Sequence, residues 1–160
     1  KCGRFGRRTV TRQAGNNGSK TMTGEESRTV TWPVRVYWED TDGGGVVYHS
    51  RYLHFFERAR TELLRAQGID QMALKDGHGF IWVVTEMDIR FRKAAKLDDE
   101  LLVSAEFRWS KGVRQGFHQE ITRKDNGEVV ATAEVTAVML HADSFEPARM
   151  PAWIKQKLGQ

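Results

Sequence analysis

Asp42 is followed by Gly43, Gly44 and Gly45, then by Val46-Val47-Tyr48, and then by His49 at the head of a strongly amphipathic segment. Three residues without Cβ let the chain turn through conformations that other residues avoid, and they let a ligand approach the backbone closely. A carboxylate joined to a helix start in this way can be aimed at the helix N-terminus, an arrangement suited to chemistry on a carbonyl. The competing reading of Asp42 is plain turn-making, because Asp beside glycine also closes turns and caps helices. Glu39 and Asp40, just upstream, read as solvated or strand-terminal charges with no chemical role.

The elements that must hold these residues follow from periodicity. Val34, Val36 and Trp38 alternate with Arg35, Tyr37 and Glu39, which predicts a short strand with one buried face. Tyr52, Phe56, Ala59, Leu63 and Ala66 recur at helical spacing, and Leu53, Phe55 and Leu64 widen the stripe. The spacing predicts a helix of about five turns, from His49 or Ser50 to a cap at Gly68. Its wide aromatic stripe fits the concave face of a sheet. Ile69 to Gly79 reads as a loop.

Strands follow. Phe80 to Val84 is continuously apolar, and Met87, Ile89 and Phe91 then alternate with charged residues, so this strand is expected to be buried on both sides at first and on one side later. Leu101 to Trp109, Val113 to Lys124 and Val129 to Leu140 supply three more, joined at Lys111-Gly112 and at the hairpin signal Asp125-Asn126-Gly127. Pro151 opens a short terminal helix through Leu158. Short turns require antiparallel neighbours. One helix cannot cover both faces of five strands, and Val130, Val138 and Leu140 leave the outward face apolar, so burial against a second copy is expected.

Composition narrows the function classes. A chain of 160 residues suits one domain with a proper core. Residues 1 to 24 hold six basic side chains and no acid, leaving 19 basic and 21 acidic in the remainder, a net of −2. The body therefore offers no excess positive field for nucleic acid, and a nucleic-acid role would rest on the tail alone. That tail, rich in Gly, Arg, Ser, Thr and Asn, is expected to be disordered through residue 28, with residues 29 to 160 forming the domain. Met22 reads as a natural start, which would make residues 1 to 21 non-native. Cys2 is the only cysteine, so a disulfide framework and a thiolate metal site are excluded and a reducing compartment, the cytoplasm, is expected. No stretch approaches the roughly 20 apolar residues needed to cross a bilayer.

Motifs for other chemistries are missing. Gly43 to Gly45 lack the Lys-Ser/Thr of a phosphate loop, and no G-x-S-x-G elbow occurs. His54, His78, His118 and His141 have no metal-ligand spacing.

The run Tyr37-Trp38-Glu39-Asp40-Thr41-Asp42-Gly43-Gly44-Gly45-Val46-Val47-Tyr48-His49, with Tyr52-Leu53 and Phe56-Glu57-Arg58-Ala59-Arg60-Thr61-Glu62, closely resembles the YbgC-type acyl-CoA thioesterases, related to 4-hydroxybenzoyl-CoA thioesterase. The likeness extends more loosely through Phe91-Arg92, Ala94 and Leu97-Asp98-Asp99. It implies an α+β hotdog fold, a five-stranded antiparallel sheet wrapped around one long helix, in homodimers or homotetramers with sites at the subunit interface. It also implies hydrolysis of an acyl-CoA to a carboxylic acid and free coenzyme A, with no metal or cofactor beyond the coenzyme A of the substrate. By matching position, Asp42 is the catalytic carboxylate, acting as nucleophile or as general base. His49 lies where a backbone N–H holds the thioester oxygen and where this branch carries an imidazole. Gly45, Val46 and Tyr48 are expected against the substrate. Trp38 and Gly43 depart from the usual Tyr and Ala or Pro. Arg90, Arg92, Lys93 and Lys96 read equally as coenzyme A phosphate contacts and as a solvated strand face. The alternative implied by the same likeness is a non-catalytic acyl- or partner-binding hotdog protein attached to envelope or lipid-synthesis machinery.

Overall fold

The structure, a computed structural model, describes residues 29–160, so the expectation for residues 1 to 28 lies outside the described residues. Five strands form one antiparallel sheet: β1 Thr29–Arg35, β2 Phe80–Phe91, β3 Glu100–Lys111, β4 Arg114–Arg123 and β5 Val129–His141, in the order β1-β3-β4-β5-β2. The long helix α1, His49–Ala66, lies in the hollow of this sheet. Two short helices, α2 Gln71–His78 and α3 Ala152–Lys157, complete the chain. The α+β hotdog expectation is met.

The apolar stripe of α1 explains its place. Tyr52, Phe55, Phe56, Ala59, Leu63 and Leu64 are all buried, and they meet the inward residues Leu101, Val103, Ala105 and Phe107 of β3 with Val34 and Val36. Each large aliphatic or aromatic side chain buried there contributes roughly 1.5–3 kcal/mol of transfer free energy. Gly68, with φ +68°, takes the left-handed turn that ends the helix, as its spacing suggests.

Four sequence expectations need correction. The stretch read as a loop at Ile69 to Gly79 contains α2, started by the Asp70 carboxylate accepting the Ala73 N–H at 2.9 Å and ended at Gly79 with φ +69°. Gly77 and Gly79 masked a helix whose single buried anchor is Leu74. Trp38 is not on a buried strand face: β1 stops at Arg35, residues 38–40 form a 3-10 turn, and Trp38 is 79% exposed. Phe80 to Val84 is not buried on both sides, because β2 is an edge strand with Val83 and Val84 exposed. A continuous apolar run does not by itself distinguish a central strand from an edge that awaits cover. Trp109 leaves the inward alternation at a register shift after Phe107, and its ring lies over Gly116 of β4, where a Cβ would come within 2.1 Å of it.

Replacing Asp70 by Ala removes the α2 cap, and denaturant unfolding is expected to show a loss of about 1 kcal/mol.

Candidate active site

The loop that carries Asp42 is held by its own backbone. Asp42 N–H donates to the Val46 carbonyl at 2.9 Å, Gly45 N–H donates to the Asp42 carbonyl at 3.0 Å, and Thr41 bridges Val47. Two glycines are needed for local reasons. Gly45 has φ +75°, and a Cβ on Gly44 would lie 3.1 Å from Asp42 Oδ1. That oxygen accepts the Gly44 N–H at 2.8 Å, which pins one oxygen of an exposed carboxylate; Oδ2 has no partner among the described residues. Gly43 has nothing within 4 Å of its would-be Cβ, so the larger residues usual at that position would fit.

Asp40 is the residue that sequence reasoning misjudged. It is 5% exposed instead of solvated. Its Oδ2 accepts the Tyr37 N–H at 2.9 Å, its Oδ1 lies 3.2 Å from Arg51 Nε, and its carbonyl accepts the Tyr48 N–H at 2.9 Å. Arg51, in the first turn of α1, also donates to the Glu39 carbonyl at 2.8 Å. A buried carboxylate thus ties the 3-10 turn to the helix start. The sequence signal was its spacing from Arg51, which no local periodicity reports.

Helix α1 opens at Tyr48 in an extended conformation, φ −63° and ψ 134°, with no side-chain cap. Tyr48 N–H is spent on Asp40 and Arg51 N–H on the Tyr48 carbonyl. The N–H groups of His49 and Ser50 have no acceptor among the described residues, so the positive end of the helix presents two donors to whatever approaches. The His49 ring is exposed and rests 4.3 Å from the Tyr48 ring, centroid to centroid.

A cleft of about 240 Å³ opens beside this helix start, lined by Val47, His49, Tyr52, Phe91, Arg92, Lys93 and Ala94. Of the residues singled out from the sequence, His49 is on its wall and Tyr48 touches His49. Asp42, Gly45 and Val46 sit in the adjoining loop and are not among the lining residues of this cleft. Arg92 and Lys93, which a solvated face explained equally well, are on the wall, whereas Arg90 pairs with Asp88.

The far wall is clamped to the helix. Val47 N–H donates to the Ala95 carbonyl at 2.8 Å, and the Tyr52 hydroxyl accepts the Ala95 N–H at 3.1 Å. Arg123 anchors the same segment through the Ala94 carbonyl at 2.6 Å and a short contact to Asp99. Burial raises the Tyr52 phenol above its ordinary value of 10.0, and the Ala95 N–H pulls the other way.

Comparison with known proteins gives the family to which this fold belongs. The thioesterase-like superfamily profile matches residues 36–158. A Haemophilus influenzae protein named acyl-CoA thioesterase YbgC is 43% identical over 125 residues, which is 78% of this chain and 90% of that one. An Escherichia coli acyl-CoA thioester hydrolase YbgC is 40% identical over 81% of this chain and 95% of its own length. Among solved structures, a 1,4-dihydroxy-2-naphthoyl-CoA thioesterase from Synechocystis superposes with a TM-score of 0.75 at 24% identity, covering 81% and 95% of the two chains, which shows the shared fold. The chain belongs to the thioesterase-like superfamily, and within it to the YbgC-type acyl-CoA thioesterases.

Tyr52→Phe leaves the Ala95 N–H without its buried acceptor and is expected to cost about 1–3 kcal/mol in denaturant unfolding. Because the folded-state phenol titrates above the unfolded one, its contribution is complete below about pH 10 and is lost as pH rises through the folded value. The wild-type melting temperature should therefore fall more steeply above pH 10 than that of Tyr52→Phe.

Proposed function

We propose that the protein hydrolyses acyl-CoA thioesters to a carboxylic acid and free coenzyme A, at the start of α1, with the unspent His49 N–H as the observation that carries the reading. A thioester oxygen gains negative charge as its carbon is attacked, and a helix-terminal N–H aimed at it stabilises that charge more than it stabilises the ground state. Asp42 supplies the attacking electrons, either directly through Oδ2 or by taking a proton from water. Collapse of the tetrahedral species breaks the carbon–sulfur bond and expels the thiolate, which takes up a proton; on the direct route it leaves an acyl–Asp42 anhydride, which water then splits into the carboxylic acid and the regenerated carboxylate. His49 offers its backbone N–H at the oxyanion, with the imidazole beside Tyr48 at the cleft rim. Gly45 and Val46 shape the loop through which Asp42 reaches the carbonyl. Carbonyl chemistry of this kind uses a carboxylate and amide donors and calls for no resident metal or cofactor.

The homo-oligomer completes the same reading. The concave side of β2 keeps Val84 at 44% and Phe91 at 52% exposure, since α1 packs on the β1 and β3 side of the hollow. Bare apolar surface on an unpaired strand edge is what a second copy would cover, and that cover would wall the cleft against water. No helix among the described residues is long and apolar enough to cross a membrane, and with Cys2 the only cysteine we assign the protein to the cytoplasm.

A thiol-release assay across acyl-CoAs of differing chain length tests the activity. Asp42→Asn and Asp42→Ala should each lower kcat by about 10²–10⁴-fold; full turnover in both would refute the role of Asp42. His49→Pro isolates the backbone donor, because proline is tolerated at the first helical position and Tyr48 is already extended. It should cost about 10²–10³-fold in kcat, whereas His49→Ala, which keeps the N–H, should cost far less. Sedimentation equilibrium is expected to give two or four chain masses, and a single chain mass would remove the oligomer from the reading.

A further inference from the structure

Asp42 and His49 each lie two residues from a partner in one ion pair. Asp40 precedes Asp42 by two positions, Arg51 follows His49 by two, and Arg51 Nε lies 3.2 Å from Asp40 Oδ1. The carboxylate assigned the attack and the N–H assigned the oxyanion therefore hang from opposite ends of a single side-chain contact.

Backbone alone holds the neck of the intervening loop weakly. Thr41 bridges Val47 outside the sheet, with Asp42 N–H on the Val46 carbonyl at 2.9 Å and Tyr48 N–H on the Asp40 carbonyl at 2.9 Å. A two-stranded ribbon so short is marginally stable by itself in water. The strip that includes Val47 is fastened to the Ala95 carbonyl at 2.8 Å. Upstream of Asp40, on the strip that includes Asp42, the backbone is next anchored at Val36, to Asp98 and Asp99 at 3.0 Å.

Arg51 fastens the Asp42 strip to the helix between those points. Its Nη2 and Nε donate to the Glu39 carbonyl at 2.8 and 3.1 Å, and Nη2 also lies 3.5 Å from Glu39 Oε2. Asp40 closes the 3-10 turn from within, since its Oδ2 accepts the Tyr37 N–H at 2.9 Å. A planar guanidinium fork fixes orientation as well as distance, so the turn that leads into Asp42 is held in one attitude to the first turn of α1.

Resting on the thioesterase reading above, we infer that Asp40 and Arg51 are positioning residues of the reaction, which together set the separation between the Asp42 carboxylate and the His49 N–H. They act through those two groups and do not themselves meet the thioester. Attack and oxyanion stabilisation must fall on one carbonyl at once, and a misplacement of about 1 Å costs on the order of 10²-fold in rate. A loop free to pivot on its two-hydrogen-bond neck would still bind substrate and would seldom present both groups together.

The test reads kcat and KM by thiol release for Asp40→Asn, Arg51→Gln and the double variant, per folded molecule as counted by near-ultraviolet circular dichroism. Each single variant is expected to lower kcat by about 10–10²-fold and to leave KM within about threefold. The double variant should be slower than the slower single by no more than about twofold, because the two side chains form one support. In the Asp42→Asn background, read by single turnover with enzyme in excess, adding Asp40→Asn should lower the residual rate by less than about twofold, since no carboxylate is left to place. The Arg51 side chain is 25% exposed and can turn to water when Asp40 is made neutral, so Asp40→Asn should fold. Where Arg51→Gln strands the buried Asp40 charge and fails to fold, Asp40→Asn and the charge-neutral double variant carry the comparison. A kcat within about twofold of the wild type in these variants, with or without a change in KM, overturns the assignment and leaves the thioesterase reading standing. An equal loss in the wild-type and Asp42→Asn backgrounds marks a purely structural pair and overturns it as well. Full turnover by Asp42→Asn removes the group to be placed and overturns both the role of Asp42 and this assignment. No thiol release from the wild-type protein overturns the thioesterase reading and this assignment together.

Discussion

The site depends on one constraint of the helix, namely that its first turn has backbone donors the helix cannot satisfy for itself. Most proteins fill them with a Ser, Thr, Asp or Asn cap. Here the cap position is Tyr48, which has no acceptor to offer in that geometry. Several amides of the neighbouring loop are occupied within the fold. Asp42 donates to Val46, Val47 to Ala95, and Tyr48 to Asp40. The donors without an acceptor among the described residues include those of His49 and Ser50 at the helix start, the place where the proposed reaction would develop its oxyanion.

Such an arrangement costs stability locally, and packing elsewhere offsets it. The aromatic stripe of α1 is anchored on β1 and β3, while Asp40 with Arg51, and Tyr52 with Ala95, fix the two strips of irregular chain on either side of the helix start. Because α1 sits toward one side of the sheet, the inner face of β2 stays open. That asymmetry produces the cleft at His49 and leaves the apolar edge of β2 exposed. Fold and function therefore draw on the same off-centre placement of a single helix.

The polar residues in the interior follow this division. Gln119 spans from the Phe56 carbonyl to Arg60 and carries a guanidinium into the sheet's hollow without an acid in contact. Gln115, also fully buried, accepts the Trp82 N–H at 3.2 Å. Both glutamines belong to β4 at inward positions where an ordinary core would be aliphatic.

The amino-acid sequence by itself determined the elements whose signal is local. The 3.6-residue stripe from Tyr52 to Leu64 specified α1, period-two alternation specified β3 to β5, and the Asp-Gly-Gly-Gly run specified a loop that a ligand can approach closely. The family likeness of that run pointed to the class of protein. Tertiary structure alone decided which residues meet across long separations in the chain. It buried Asp40 against Arg51, placed Arg92 and Lys93 on the cleft wall, and put the apolar run of β2 at an edge. Periodicity reports the face a residue presents to its own element, whereas burial, partners and clefts depend on which other element arrives there, and that is set by the fold as a whole.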